Sequence, residues 1–145
     1  MGYTHYYTQK KNFSDDEFKQ LHTAAIDIAL QAEVDGINIC NGAGDHLTSM
    51  VLNENYISLN GCGELAHETF SIDKTKDGDG FNFCKTARKP YDAAVTSILK
   101  YLYFNFPDHF KIDSDGDMEA IIAGPYYPTP DGYVDSEYDT DGEDE

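Results

Sequence analysis

Residues 14 to 36 constrain the fold more than any other stretch. Ser14-Asp15-Asp16-Glu17 has the spacing of a capping box, in which the serine hydroxyl and the glutamate carboxylate satisfy free N–H groups at a helix start, and Asp15 and Asp16 suit its positive end. Phe18, Leu21, Ala25, Ile28 and Ala32 then recur at three- and four-residue steps, and Gly36 can supply a left-handed stop. This spacing predicts one long helix with one apolar stripe. Such a stripe needs a second layer to cover it.

The rest of the chain supplies that layer in short pieces. Residues 3 to 8 alternate weakly and are rich in Tyr and Thr, which predicts a first strand with Tyr3, His5 and Tyr7 on one face and Thr4 and Tyr6 on the other. From 37 to 84, β-type runs (Ile37 to Cys40, Tyr56 to Leu59, His67 to Ile72, Phe81 to Cys84) alternate with turn residues such as Asn41-Gly42-Ala43-Gly44-Asp45, Asn60-Gly61 and Asp77-Gly78-Asp79-Gly80. This reads as an antiparallel meander, with 47 to 52 a further strand or a helical turn. A second helix begins near Pro90, with Tyr91, Val95, Ile98 and Leu102 as its buried stripe and Asp92, Thr96 and Lys100 opposite, and it ends at Asn105 to Pro107. Phe110 and Ile112 suggest a last strand, Asp113-Ser114-Asp115-Gly116 a turn, and 117 to 123 a short helix. The expected class is α+β, a small antiparallel sheet with two main helices packed on one face.

At 145 residues the chain suits one domain. We place it at 1–124 and assign 125–145 to a disordered acidic tail, because the last fifteen residues hold eight acids, no base and only three apolar side chains. Ten Lys and Arg against 27 Asp and Glu give a formal charge of -17, a field that repels DNA, RNA and anionic lipid. Direct nucleic-acid binding is therefore not expected. No apolar run approaches the ~20 residues of a membrane span, and the N-terminus has no secretory signal pattern. The expected setting is the cytoplasm, with no membrane partner. There Cys40, Cys62 and Cys84, odd in number and far apart, are expected as reduced, buried thiols.

The stretch Phe83-Cys84-Lys85-Thr86-Ala87-Arg88-Lys89-Pro90-Tyr91-Asp92 holds the only arginine and three of the ten basic residues, where a strand runs into a helix start. Helix N-termini present unpaired N–H groups, so Lys85, Thr86, Arg88 and Lys89 form a candidate cradle for phosphate or carboxylate. It lacks the spaced glycines of the nucleotide loops. His67 is a hydrogen-bonding partner in this reading, His5 a further ligand-binding residue, and Tyr3, Tyr6 and Tyr91 are stacking surfaces. His67 or Glu68 as a general base gives a small hydrolase as an alternative. Cys62, Cys84 and His67, helped by His5, have zinc-type chemistry without the spacing of a zinc motif, and Cys62 or Cys84 could serve as a nucleophile. No metal or cofactor is assigned. The Asp-rich turns at 77 to 79 and 113 to 117 lack the Gly and Glu of a calcium loop. His22 and His109 read as structural, and His46 follows a Gly-rich loop without an assigned role.

Gly2-Tyr3-Thr4-His5-Tyr6, His67-Glu68-Thr69-Phe70, Phe83-Cys84-Lys85-Thr86, Lys89-Pro90-Tyr91-Asp92 with Val95-Thr96, and Ser114-Asp115-Gly116 together resemble a family of small uncharacterised proteins encoded mainly by bacteriophages. The likeness spans residues 2 to 119, although members often have Trp where this chain has Tyr7. It implies a phage accessory protein in the host cytoplasm and supplies no catalytic residues. Joined to the basic stretch, it leads us to expect a protein that binds a small anionic ligand, such as a phosphorylated nucleotide signal of host defence. An acidic module that holds a basic host protein through the tail and inhibits a nucleic-acid enzyme by charge mimicry is a further alternative.

Overall fold

The computed structural model describes residues 3–40 and 56–130. Along the chain run β1 (Thr4–Gln9), α1 (Asp15–Val34), β2 (Tyr56–Leu59), a short 3-10 turn (Gly63–Leu65), β3 (Phe70–Asp73), β4 (Phe81–Lys85), α2 (Asp92–Asn105), β5 (Phe110–Ser114) and α3 (Asp117–Ile122). The class is α+β, as expected. An antiparallel three-stranded sheet in the order β4-β1-β5 and an antiparallel β2-β3 ribbon accompany the two main helices.

Helix α1 starts and stops where its sequence says. Ser14 Oγ accepts the Glu17 N–H at 3.1 Å, and Glu17 Oε1 accepts the Ser14 N–H at 2.8 Å. At the other end Gly36 takes φ +88°, which lets its own N–H reach Glu33 O and the Ile37 N–H reach Ala32 O, both at 2.9 Å. Phe18, Leu21, Ala25, Ile28, Ala29 and Ala32 are buried.

The expected meander is only partly present. β2 and β3 pair with each other, and Cys40 and Asn60 extend that ribbon by an isolated bridge, but β4 leaves to pair with β1. The departure is made at Gly80, whose φ of +77° and lack of a side chain let its carbonyl accept the Gln9 N–H at 2.8 Å; a Cβ there would lie 1.9 Å from Gln9 O. β1 thus becomes the central strand. Tyr7 is buried from it, with its hydroxyl donating to Ser71 O across the gap to the ribbon.

Helix α2 departs from a one-sided stripe. Thr96 and Lys100, expected on the solvent side, are buried together with Val95, Ile98, Leu99 and Leu102. The reason is Gly124, whose backbone lies so close to Ser97 that a Cβ would meet its Cα at 2.7 Å. Lys100 Nζ donates to Gly124 O at 3.3 Å, and desolvation lowers the ammonium pKa. Tyr126 and Tyr127, expected to open the tail, pack on the body: Tyr126 joins the core, its N–H donates to Ser97 Oγ at 2.9 Å, and its hydroxyl donates to Asp35 at 2.7 Å. Residues 131–145 of the expected tail and the uncertain stretch 47 to 52 lie outside the described residues, as does His46.

Candidate functional site

The end of β4 feeds a turn held in an uncommon shape. The Thr86 N–H still bonds Tyr3 O at 3.1 Å, so β1 and β4 stay paired to that point. Ala87 and Arg88 then take φ of +54° and +58°, consecutive left-handed residues that each cost about 1–2 kcal/mol without a glycine. Lys89 N–H returns to Thr86 O and Asp92 N–H to Lys89 O, and α2 begins. Such backbone strain persists only where the surroundings impose it.

The surroundings here are a buried polar network. Asp92 Oδ1 receives the Thr86 hydroxyl and lies against His5 Nε2, both at 2.6 Å. His5 Nδ1 faces Ser114 Oγ at 2.8 Å, and that oxygen also takes the Gly116 N–H at 3.0 Å. A carboxylate can only accept, which assigns the proton on His5 to Nε2 and, for a neutral ring, makes Ser114 the donor to Nδ1. His5 is fully buried, so it touches no ligand. It ties β1, β5 and the start of α2 into one unit and fixes Asp92, which in turn holds Thr86 and the foot of the turn.

Above this network stand the cations, each with a different neighbour. The Arg88 guanidinium lies 3.9 Å over the Tyr3 ring, whose edge meets the His5 imidazole at 5.1 Å between centroids. Lys85 Nζ is 5.9 Å from the Phe83 ring centre, and Lys89 Nζ donates to Glu64 O at 3.3 Å. Among the described residues none of the three has a carboxylate partner. Thr86, expected to meet the anion, has its hydroxyl committed to Asp92. The α2 N-terminus likewise holds its own acid, Asp92, where the cradle was drawn.

The other expected site residues are scattered. His67 is exposed, its backbone clasped by Asn60 (N–H to Oδ1 2.9 Å, carbonyl to Nδ2 3.0 Å), and no contact joins its side chain to Lys85 or Arg88. Glu68 Oε1 accepts the Lys85 N–H at 2.8 Å, and Glu68 O accepts the Tyr91 hydroxyl and, at 3.5 Å, the Cys84 thiol. The carboxylate therefore caps a strand edge. Tyr91 is wholly buried and belongs to the core instead of a stacking surface. Tyr6 stays near the surface, its ring stacked with Phe81 at 6.4 Å and its hydroxyl on Asp115 at 3.2 Å.

The cysteine expectation is corrected. Cys40 and Cys62 form a disulfide with Cα atoms 5.5 Å apart, and only Cys84 is free. The isolated bridge between Cys40 and Asn60, just beyond β2, brings two distant cysteines side by side, which spacing along the chain conceals. Cys62 is thereby removed from any zinc set, and no cluster of three or more metal-binding side chains occurs among the described residues. Burial pushes the Cys84 thiol up to about 12, the opposite of what a nucleophile needs.

Asp92, Ser114, Phe81 and Phe83 were given no site role by sequence, although Phe83, Asp92 and Ser114 lie within its quoted motifs. A cleft of about 230 Å³ lined by Gln9, Asp73, Asp77, Phe81 and Asn82 sits at the start of β4, and its acids make it unattractive to anions. No helix among the described residues is long and apolar enough to cross a membrane. The chain matches no family model, no curated protein and no solved structure.

Proposed function

We propose that the chain is an accessory protein of the bacteriophage type that binds a small polar anion, a phosphorylated ligand such as a nucleotide signal of host defence, at the turn 85–89. One observation carries this reading: the side-chain cations of Lys85, Arg88 and Lys89 form no ion pair with a carboxylate among the described residues, although Glu68 accepts the Lys85 backbone N–H, in a chain with 27 acids and ten bases. Acids are available everywhere to pair with a base. These three instead rest on a ring face or a backbone carbonyl, which leaves them without a direct ion pair. The Arg88 guanidinium, 3.9 Å over the Tyr3 ring, is the group suited to a bidentate anion. His5, Thr86 and Asp92 act from beneath as positioning residues.

The setting belongs to the same proposal. It is the cytoplasm of the bacterial host, where the Cys40–Cys62 bridge has to withstand reducing thiols.

Isothermal titration with nucleotides, comparing the natural chain with Arg88→Ala, tests the reading. Loss of one bidentate contact weakens binding by roughly tenfold to a hundredfold, with the fold unchanged by circular dichroism. Absence of binding, or equal binding by both proteins, contradicts it.

A further inference from the structure

We propose that the outer face of the three-stranded sheet is a ring-stacking platform, built from Tyr6, Phe81 and Phe83, and that the anion bound at the basic turn is carried by a flat heteroaromatic group. A mononucleotide is the ligand class that joins the two. This inference rests on the anion reading above and gives it a second half.

The register places the rings together. Tyr6 stands opposite Phe83, Thr8 opposite Phe81 and Thr4 opposite Lys85, so these six side chains share one face. Tyr6 and Phe81 are stacked at 26° between planes, and Phe81 and Phe83 have centroids 6.0 Å apart. Phe81 is 53% exposed and Phe83 42%, although both flank a strand whose next inward residue, Cys84, is completely buried. Adjacent large apolar rings left in water mark a surface that meets something else.

The chemistry of the strand edge says what does not meet it. β4 is an edge strand, and three of its N–H groups are turned away from β1: those of Phe81, Phe83 and Lys85. Each is taken by a side-chain oxygen, Asp79 Oδ1 at 3.0 Å, Asn82 Oδ1 at 2.9 Å and Glu68 Oε1 at 2.8 Å. The edge is therefore closed to an added strand, whether from a peptide or from a second copy. What remains is the flat aromatic face.

Charge across that face orients the occupant. At the β4 end Lys85 Nζ lies over the Phe83 ring, 5.9 Å from its centre, and the turn that follows carries Lys89 and Arg88, the latter on Tyr3 just before β1. At the β5 side Asp113 stands opposite Tyr6, and Asp115 holds its hydroxyl. A ring lying on Phe83 and Phe81 with one phosphate toward Lys85 satisfies both ends. A chain of nucleotides has a phosphate at every step, and it meets Asp113, Asp115 and the field of a protein of net charge -17.

Calorimetric titration of the full chain with AMP, ribose 5-phosphate, adenosine and a single-stranded octadeoxynucleotide tests the inference, with Phe83→Ser and Phe81→Ser beside Arg88→Ala. Both phenylalanines are exposed, so their variants keep the fold. AMP is expected to bind about tenfold more tightly than ribose 5-phosphate, the scale of one base–aromatic stack, and either Ser variant removes that margin while leaving the sugar phosphate unchanged. Equal affinity for AMP and ribose 5-phosphate, with both lost in Arg88→Ala, overturns the platform and leaves the anion reading standing. Adenosine binding as well as AMP supports the platform and overturns the anion reading. The octamer binding more tightly than AMP overturns the choice of a mononucleotide. Sedimentation that shows a dimer whose interface covers Phe81 and Phe83 overturns the platform outright.

Discussion

Ala87 and Arg88 define the site at the scale of single residues, because both hold a left-handed backbone that only glycine adopts without cost. Ala87→Gly is therefore expected to raise stability by up to about 1 kcal/mol, read as a higher denaturant midpoint with an unchanged slope. A loss of similar size would show that the turn is not strained. Buried acids with raised pKa values give a second expectation. The Cys84 thiol moves from 9.0 to about 12, and Tyr7 and Tyr91 move above the ordinary phenol value of 10.0, each through burial. The unfolded chain ionises these groups first, so their contribution is complete below pH 9 and is lost as pH rises from about 9 towards 12. Thermal unfolding followed between pH 7 and 11 should show the midpoint falling above pH 9, and a flat profile would contradict the buried assignments.

His5 shows what a residue alone discloses and what it hides. Strand alternation put it beside Tyr3 and Tyr7, which the structure bears out, yet alternation does not say which face is core. That is decided by β5 and α2, which arrive more than eighty residues later with Ser114 and Asp92. The polar character of His5 was legible, and its buried partners were not. Arg88 was legible for a simpler reason: a lone arginine in an acid-rich chain is visible at once.

Among elements, α1 was readable because capping and stripe are local. The sheet order was not, since β1 finds β4 and β5 by long-range pairing and the choice turns on the close approach at Gly80. The disulfide belongs to the same scale. Cys40 and Cys62 are 22 residues apart and close the segment that contains β2, so the bridge removes unfolded-state freedom around the β2-β3 ribbon. Cys40→Ser with Cys62→Ser is expected to cost about 2–4 kcal/mol, and a reductant should shift the natural chain towards the variant. Identical denaturation curves with and without reductant, for a chain whose titratable thiols under denaturing conditions rise from one to three on reduction, would deny the bridge any structural role.

The whole molecule sets a repulsive envelope around a small cationic turn. With a formal charge of -17, the chain disfavours any anion at a distance, and the proposed site needs the close cations at 85–89 to outweigh that field. The clustering of three of the ten bases there was visible in composition. Its geometry was not, because one cation lies over Tyr3, another over Phe83 and the third on the Glu64 carbonyl. The most direct measurement of the account is a heteronuclear NMR titration of the full chain with AMP. The account predicts amide shifts centred on Tyr3 and on residues 83 to 89, saturating with the ligand and absent in Arg88→Ala. Shifts centred on the acidic cleft at Asp73 and Asp77, or none anywhere, would contradict it.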